Sequence, residues 1–332
     1  MSTIYRKTVW FVKGLREYTL NGYLEAQKKF EDLNTETYKD LGGKAYMVTG
    51  ANSGIGKCVS LELAKRGATV HMVCRDKTRG EQAQQELLEA SPNKEVHLHL
   101  LDMSMPKKVW EFALGFAESG KSLNGLVNNA GCMVNERTIT EEGLEKNFAT
   151  NALGTYILTT GLISVLEKSK EPRIITVSSG GMLTVKLDVD DLQFERMNPF
   201  EGVMAYAQNK RQQVIMTEKW AEMYKATGIH FSSMHPGWAD TPAVKSSMPD
   251  FHRKMQGKLR TAEQGADTVV WLCISNEAIK TPSGAFFQDR EAVSKHLPLA
   301  WTKSSAADEE TLMTKLKEIA EQFRVENATN DS

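Results

Sequence analysis

The apolar run KAYMV, residues 44–48, leads straight into TGANSGIG, Thr49 to Gly56, and the chain then enters a helical stretch reaching Arg66. Few folds accept that order. A strand that turns through glycines at 50, 54 and 56 into a helix leaves bare backbone at the helix N-terminus, where free N–H groups and the positive end of the dipole face outward. Small residues there let an anion approach the main chain. Placed after a first strand, such a turn cradles a pyrophosphate, with Thr49, Gly50, Asn52, Ser53, Gly54, Ile55 and Gly56 as its lining.

Beyond the turn the chain alternates short β-rich runs with helical stretches. The runs are TVHMVCR, VHLHLLD, GLVNNAG, RIITVSS, HFSSMHPG and GAFFQD. The helices are a charged one to about Ala90, then Lys107–Ala117, Asn147–Leu166, one after Tyr206, and Ala262–Ile274. Apolar runs without in-out alternation predict a parallel sheet covered on both faces, an α/β doubly wound Rossmann fold. Residues 41–300 make one such domain. A helical, amphipathic extension precedes it at 1–40, and a polar tail with one helix around Glu309–Phe323 follows at 301–332. The segment 240–262 reads as a lid or substrate loop.

Charge and cysteine content narrow the partners. A net charge of −1 and a pI near 6.7 give no basic bias toward nucleic acid. Cys58, Cys74, Cys132 and Cys273 are scattered without metal-ligand spacing, which suits reduced thiols inside a cell and no metal. The apolar runs read as too short to span a bilayer, which takes roughly 20 residues. Within 1–40, Ile4, Tyr5, Val9, Phe11, Val12, Leu15, Tyr18 and Tyr23 share a broad helical face opposite Arg6, Lys7 and Lys13. That helix either lies on a membrane interface or packs on the domain's own surface. The location is therefore cytoplasmic or peripheral to an intracellular membrane.

At the end of the second strand, where an acidic residue commonly holds a ribose diol, the chain reads VCRDK. Cys74 offers no carboxylate, and Arg75 suits a 2′-phosphate, favouring NADP(H) over NAD(H). Asp76 is the competing candidate for the ribose. Further on, Tyr206 and Lys210 stand four residues apart, hence on one helix face. An ammonium at about 4 Å, with an effective dielectric of about 20, contributes roughly 4 kcal/mol, enough to bring a phenol toward neutral pH. Ser179, ending RIITVSS, is placed to donate to a substrate oxygen.

These motifs, in this order, resemble the short-chain dehydrogenase/reductase superfamily from about Lys44 to Asp289. The resemblance implies catalytic roles for Asn151, Ser179, Tyr206 and Lys210, with Tyr206 as acid/base and Asn151 holding a water in a proton relay. It also implies cofactor contacts from Asp102 to adenine, from Asn129, Ala130 and Gly131 of the NNAG motif, from Tyr206 and Lys210 to the nicotinamide ribose, and from Pro236, Gly237 and Thr241. The 27-residue step from Ser179 to Tyr206 carries an insertion, DVDDLQFERMNPFEG, like that of the retinol-dehydrogenase-like branch. The expected function is an oxidoreductase moving hydride between NADP(H) and a small apolar ketone, aldehyde or secondary alcohol, with a homo-oligomer as a further implication. A cofactor-binding scaffold or redox sensor is the rival. Cys132 is either an oxidant sensor or a space-filler, His235 a base or a structural group, and Trp238 and Met182 pocket walls or core.

Overall fold

β1 (Ala45–Thr49) is buried at every position, as are β4 (Gly125–Asn128) and β5 (Arg173–Val177) in the computed structural model, which describes residues 3–324. The first two residues of the N-terminal segment and the last eight of the polar tail lie outside the described residues. Strands covered on both faces cannot alternate polar with apolar, hence the continuous apolar runs. With β2 (Thr69–Cys74), β3 (Val96–Leu100), β6 (His230–Met234), β7 (Ala285–Gln288) and β8 (Glu291–Ala292) they form one sheet, ordered β3-β2-β1-β4-β5-β6-β7-β8. All neighbours run parallel except β7 and β8. The sequence signalled seven strands but not β8. Its turn is made by Asp289 and Arg290, both at positive φ, where a hairpin normally announces itself with glycine.

The helices are α1 (Thr3–Glu17), α2 (Leu20–Gln27), α3 (Glu36–Lys39), α4 (Gly54–Lys65), α5 (Lys77–Ala90), α6 (Pro106–Glu118), α7 (Lys146–Phe148), α8 (Gly154–Leu166), α9 (Gly202–Met223), α10 (Pro242–Ser247), α11 (Pro249–Lys254), α12 (Ala262–Ile274) and α13 (Ala306–Glu321). α4, α5 and α12 bury their apolar faces on one side of the sheet; α6, α8, α9 and α13 do so on the other. Strand order reverses between β1 and β4, so the crevice for a ligand opens at their C-terminal ends. α9 starts at Gly202 rather than after Tyr206, because Glu201 caps it without a side-chain bond and leaves no signal in the sequence. The expectation that every apolar run is too short to span a bilayer needs correction. The continuous helix Lys146–Leu166 has the length and composition, but it is mostly buried in the core.

The N-terminal segment has two apolar faces, not one. Trp10 and Val9 face inward, and Tyr18 is fully buried at the end of α1. Gly14 is pressed on Trp238, where any Cβ would lie 2.2 Å from the indole. Ile4, Phe11, Val12 and Leu15 point to solvent, with Ile4 77% exposed. So the segment packs on the domain with one face and leaves the other open. The buried Arg260 holds the join: its guanidinium pairs with Asp289 and donates to Glu17 O at 2.6 Å, Thr19 O at 3.3 Å and Pro236 O at 3.4 Å. Trp238 N also donates to Tyr18 O. Trp238 and Met182 are both core residues here. In the tail, α13 begins earlier than expected because Ser305 and Asp308 form a capping box, and its Leu312, Met313, Leu316 and Ala320 are buried.

On β2 and β3, His71 Nδ1 and His99 Nε2 lie 3.0 Å apart, with His97 stacked on His71. One ring donates and the other accepts, and it is their burial that keeps both neutral. Burial pushes His71 down to about 3 and His99 down to about 4. In the unfolded chain a histidine titrates near 6.5, so below that pH the unfolded state takes up protons the folded state refuses. Stability therefore falls as pH drops from about 6.5 toward 4, by about 2 kcal/mol at pH 5 for the buried His71 alone. Thermal unfolding between pH 7.5 and 5 should show a falling Tm in the wild type and a shallower decline in His71→Leu/His99→Leu. An equally steep decline in that variant would refute the assignment.

Candidate active site

The glycine turn is shaped by what lies directly beneath it. Gly50 has φ +66°, and a Cβ at Gly56 would lie 2.4 Å from both Asn129 Nδ2 and Gly50 O. A side chain at Gly56 would collide with Asn129 and with the turn's own backbone, and one at Gly50 would press on Asn129 and Ala130. Thr49 Oγ1 accepts from Asn129 N at 3.0 Å and Ala130 N at 2.9 Å, and Asn129 Nδ2 donates to Thr49 O at 2.8 Å. The turn after β1 and the NNAG segment after β4 are thus stitched together across the crevice. Asn52, Ser53, Gly54 and Ile55 complete the turn into α4, whose N-terminal amides carry positive partial charge. The cradle fits a pyrophosphate. Thr241, at the start of α10, comes against Gly54, where a Cβ would lie 3.4 Å from its methyl. Its hydroxyl accepts from Val244 N and caps that helix. Pro236 and Gly237 precede it after β6, bringing all three onto the same loop.

At the end of β2, Arg75 is more than half exposed and its guanidinium stands 3.8 Å from Asp102 at the end of β3. Asp102 Oδ1 accepts from Ser104 N and Oγ. Asp76 is engaged elsewhere: it caps α5 by accepting from Arg79 N at 2.9 Å and pairs with Arg79. Cys74 lies beneath the turn, buried, with its thiol pushed up to about 11 by that burial.

Asn151, Lys210 and Gly131 meet at the floor of the crevice. A Cβ on Gly131 would lie 3.2 Å from Asn151 Oδ1 and 3.6 Å from Lys210 Nζ. Asn151 sits in a π-helical turn, Ala149–Leu153, between α7 and α8, the kind of irregularity often found at functional sites. Its carboxamide accepts from Cys132 N and donates to Cys132 O, pinning the segment after NNAG. Lys210 Nζ donates to Val177 O at 2.8 Å and Gln213 Oε1 at 2.9 Å, and lies 5.3 Å from the centre of the Tyr206 ring. Ser178 Oγ donates to Lys210 O, so β5 and α9 are tied just where Ser179 begins the next turn. Ser179 Oγ accepts from Gly181 N at 3.2 Å and is partly exposed.

The expected depression of the Tyr206 phenol is not found. Burial raises it above its ordinary value, and burial lowers Lys210 to about 7. The two do share a helix face, as their spacing implies, but attraction between them is not the force that sets their protonation. Removing each group from water disfavours its charged form: at Lys210 that cost exceeds the attraction to the Cys132 thiol, and at Tyr206 burial and Cys132 both act upward. Cys132 is likewise pushed up by burial, so its thiol is not activated. His235 is structural: its Nδ1 accepts from Gly180 N at 2.9 Å and its ring meets Tyr18 edge-on. Gln213, which holds Lys210, and Arg260, which reaches the loop after β6, were not singled out from the sequence. Gln213 at least had a signal, lying one turn beyond Lys210 on the same helix face.

Residues 44–188 match the family model described as short chain dehydrogenase. The chain is 56% identical to dehydrogenase/reductase SDR family member 12 of Homo sapiens, over 97% of its own length and 100% of that protein's. It is 34% identical to retinol dehydrogenase 11 of Homo sapiens, over 84% of this chain and 85% of the other. Among solved structures, a 3-ketoacyl-(acyl-carrier-protein) reductase from Brucella melitensis complexed with NADH superposes with a TM-score of 0.59 at 25% identity, covering 74% of this chain and 96% of that one. A protein from Escherichia coli CFT073 complexed with NADPH gives 0.61 at 21% identity, covering 76% and 99%. With a doubly wound sheet, a glycine turn at its switch point and these relatives, the chain belongs to the short-chain dehydrogenase/reductase family of nicotinamide-dependent oxidoreductases.

Proposed function

We propose that this enzyme reduces an apolar ketone or aldehyde with NADP(H), and oxidises the matching alcohol in reverse. The observation that carries the reading is the meeting of Lys210, Tyr206 and the Asn151 turn beside Gly131, at the open end of the glycine cradle. Residues 49–56 would hold the pyrophosphate, Asp102 the adenine, and Asn129, Ala130 and Gly131, with Tyr206 and Lys210, the nicotinamide ribose. Pro236, Gly237 and Thr241 would bound the nicotinamide. Arg75 would take the 2′-phosphate, a preference supported by the engagement of Asp76 in capping α5. When bound, the nicotinamide supplies or accepts the hydride.

The chain's own residues do the rest. The Ser179 hydroxyl donates to the substrate oxygen and stabilises the charge that grows there. Tyr206 gives its proton to that oxygen as the alcohol forms. The phenol enters reduction protonated, and burial, which raises it, opposes release of that proton, so the transfer depends on the charge of Lys210 behind it. Lys210 steadies the phenolate left behind, and Asn151 fixes the segment that carries Gly131 and Cys132. The rival scaffold or sensor reading is disfavoured by the complete polar set and by the raised Cys132 thiol. The open face of α1, with Leu299 and Trp301 also exposed, supports peripheral contact with an intracellular membrane.

Tyr206→Phe should abolish NADPH-dependent turnover of a panel of apolar aldehydes and ketones, by about 10³-fold or more, while NADPH affinity measured by fluorescence transfer stays within a few-fold. Retained turnover would overturn its role as the acid. Arg75→Ala should weaken NADPH binding by about 10- to 100-fold and leave NADH binding nearly unchanged. Equal losses for both would remove Arg75 from the 2′-phosphate. In vesicle flotation with anionic lipid, Phe11→Ser/Val12→Ser should float less than the wild type; equal flotation would dismiss the α1 face as the membrane contact.

A further inference from the structure

Gln213, three residues after Lys210 on α9 and fully buried, stands between two groups of the site. Its Oε1 accepts from Lys210 Nζ at 2.9 Å, and its Nε2 donates to the main-chain oxygen of Asn151 at 2.7 Å. The Asn151 side chain has no part in that link. Its carboxamide is bonded to both backbone atoms of Cys132 and to Asn209 Oδ1. The carbonyl that Gln213 meets belongs to the π turn, where the regular helical ladder is offset.

We propose that Gln213 is a positioning residue whose carboxamide joins Lys210 to the Asn151 carbonyl, in the place where the family resemblance puts a water, and so fixes the ammonium while closing the proton path behind it. The chemistry of the amide dictates the second half. A water accepts a proton on one side and releases one on the other, whereas a primary amide accepts only at oxygen and donates only at nitrogen. Handing a proton along it requires the imidic acid tautomer. Lys210 is therefore the end of the chain of groups behind Tyr206, held by Val177 O and Gln213 Oε1 with one N–H left for its work toward the ribose. The proposal rests on the part assigned to Lys210 under the proposed function. The titratable groups facing the Lys210 ammonium are the Tyr206 phenol on its own helix and the Cys132 thiol on the segment after β4.

The test uses the full chain labelled with ¹⁵N-lysine. The Lys210 ammonium resonance, identified by its loss in Lys210→Met, is followed from pH 5.5 to 9 in the wild type, Gln213→Glu and Gln213→Leu. NADPH affinity is measured on the same samples. Gln213→Glu keeps the shape, adds a negative acceptor and should raise the Lys210 midpoint by more than about one pH unit. Gln213→Leu removes the acceptor, should lower the midpoint by more than about one unit, and should weaken NADPH binding at pH 7.5 by about 5-fold or more. If Gln213→Leu does not fold, the isosteric Gln213→Glu decides the question alone. Midpoints unmoved in the folded variants overturn the link. Should the midpoints move while the wild type binds no NADPH, the link stands and the nicotinamide reading falls.

Discussion

A single buried guanidinium gathers parts of this molecule that lie far apart in the chain. Arg260 closes on Asp289 at the end of β7 and reaches the carbonyls of Glu17, Thr19 and Pro236. These groups belong to the sheet, to the turn between the first two helices and to the loop after β6. A buried ion pair of this sort adds little net stability over an apolar pair of the same volume, because both charges are stripped of water. What it supplies is direction. Each carbonyl has a fixed place on the planar fork, and the loop of Gly237 to Thr241 is held to the same point because the Arg260 backbone bonds Trp238 O and Asp240 N.

That arrangement changes the meaning of the N-terminal segment. Its sequence reads as one amphipathic helix with a membrane or a protein surface as alternatives, and the structure divides the apolar residues between both directions. Trp10, Gly14 and Tyr18 serve the interior, where Tyr18 meets His235 and His235 in turn holds the Gly180 amide beside Ser179. Ile4, Phe11, Val12 and Leu15 remain outside. The segment is thus a wall of the domain on the side of the site, and any surface it meets is met by an enzyme already complete around its crevice.

The sheet and the phosphate turn were legible because each depends on local chemistry that a short stretch of residues displays: apolar runs for strands, glycine for close approach. The pairing of Tyr206 with Lys210 was legible for the same reason, through helical periodicity. What sequence could not give was the balance of terms between groups brought together from afar. The phenol is raised instead of lowered because its burial and the Cys132 thiol brought beside it both disfavour its charged form. β8 escaped notice because Asp289 and Arg290 occupy left-handed conformations that favour glycine. Gln213 stands one turn beyond Lys210 on the same helix face, but its second partner appears only once the π turn brings the Asn151 carbonyl to it.

The bond from Arg260 to Glu17 spans 243 positions of chain. During synthesis the N-terminal residues emerge first, yet the indole of Trp238 and the guanidinium that receive them are translated more than 200 residues later. At ribosomal speeds of about 5–20 residues per second, α1 waits on the order of 10 seconds or longer with both its apolar faces uncovered. For that interval it is an amphipathic peptide tethered to a growing chain, open to chaperones, to lipid and to its own neighbours, and only the arrival of the last third of the polypeptide converts half of it into protein interior.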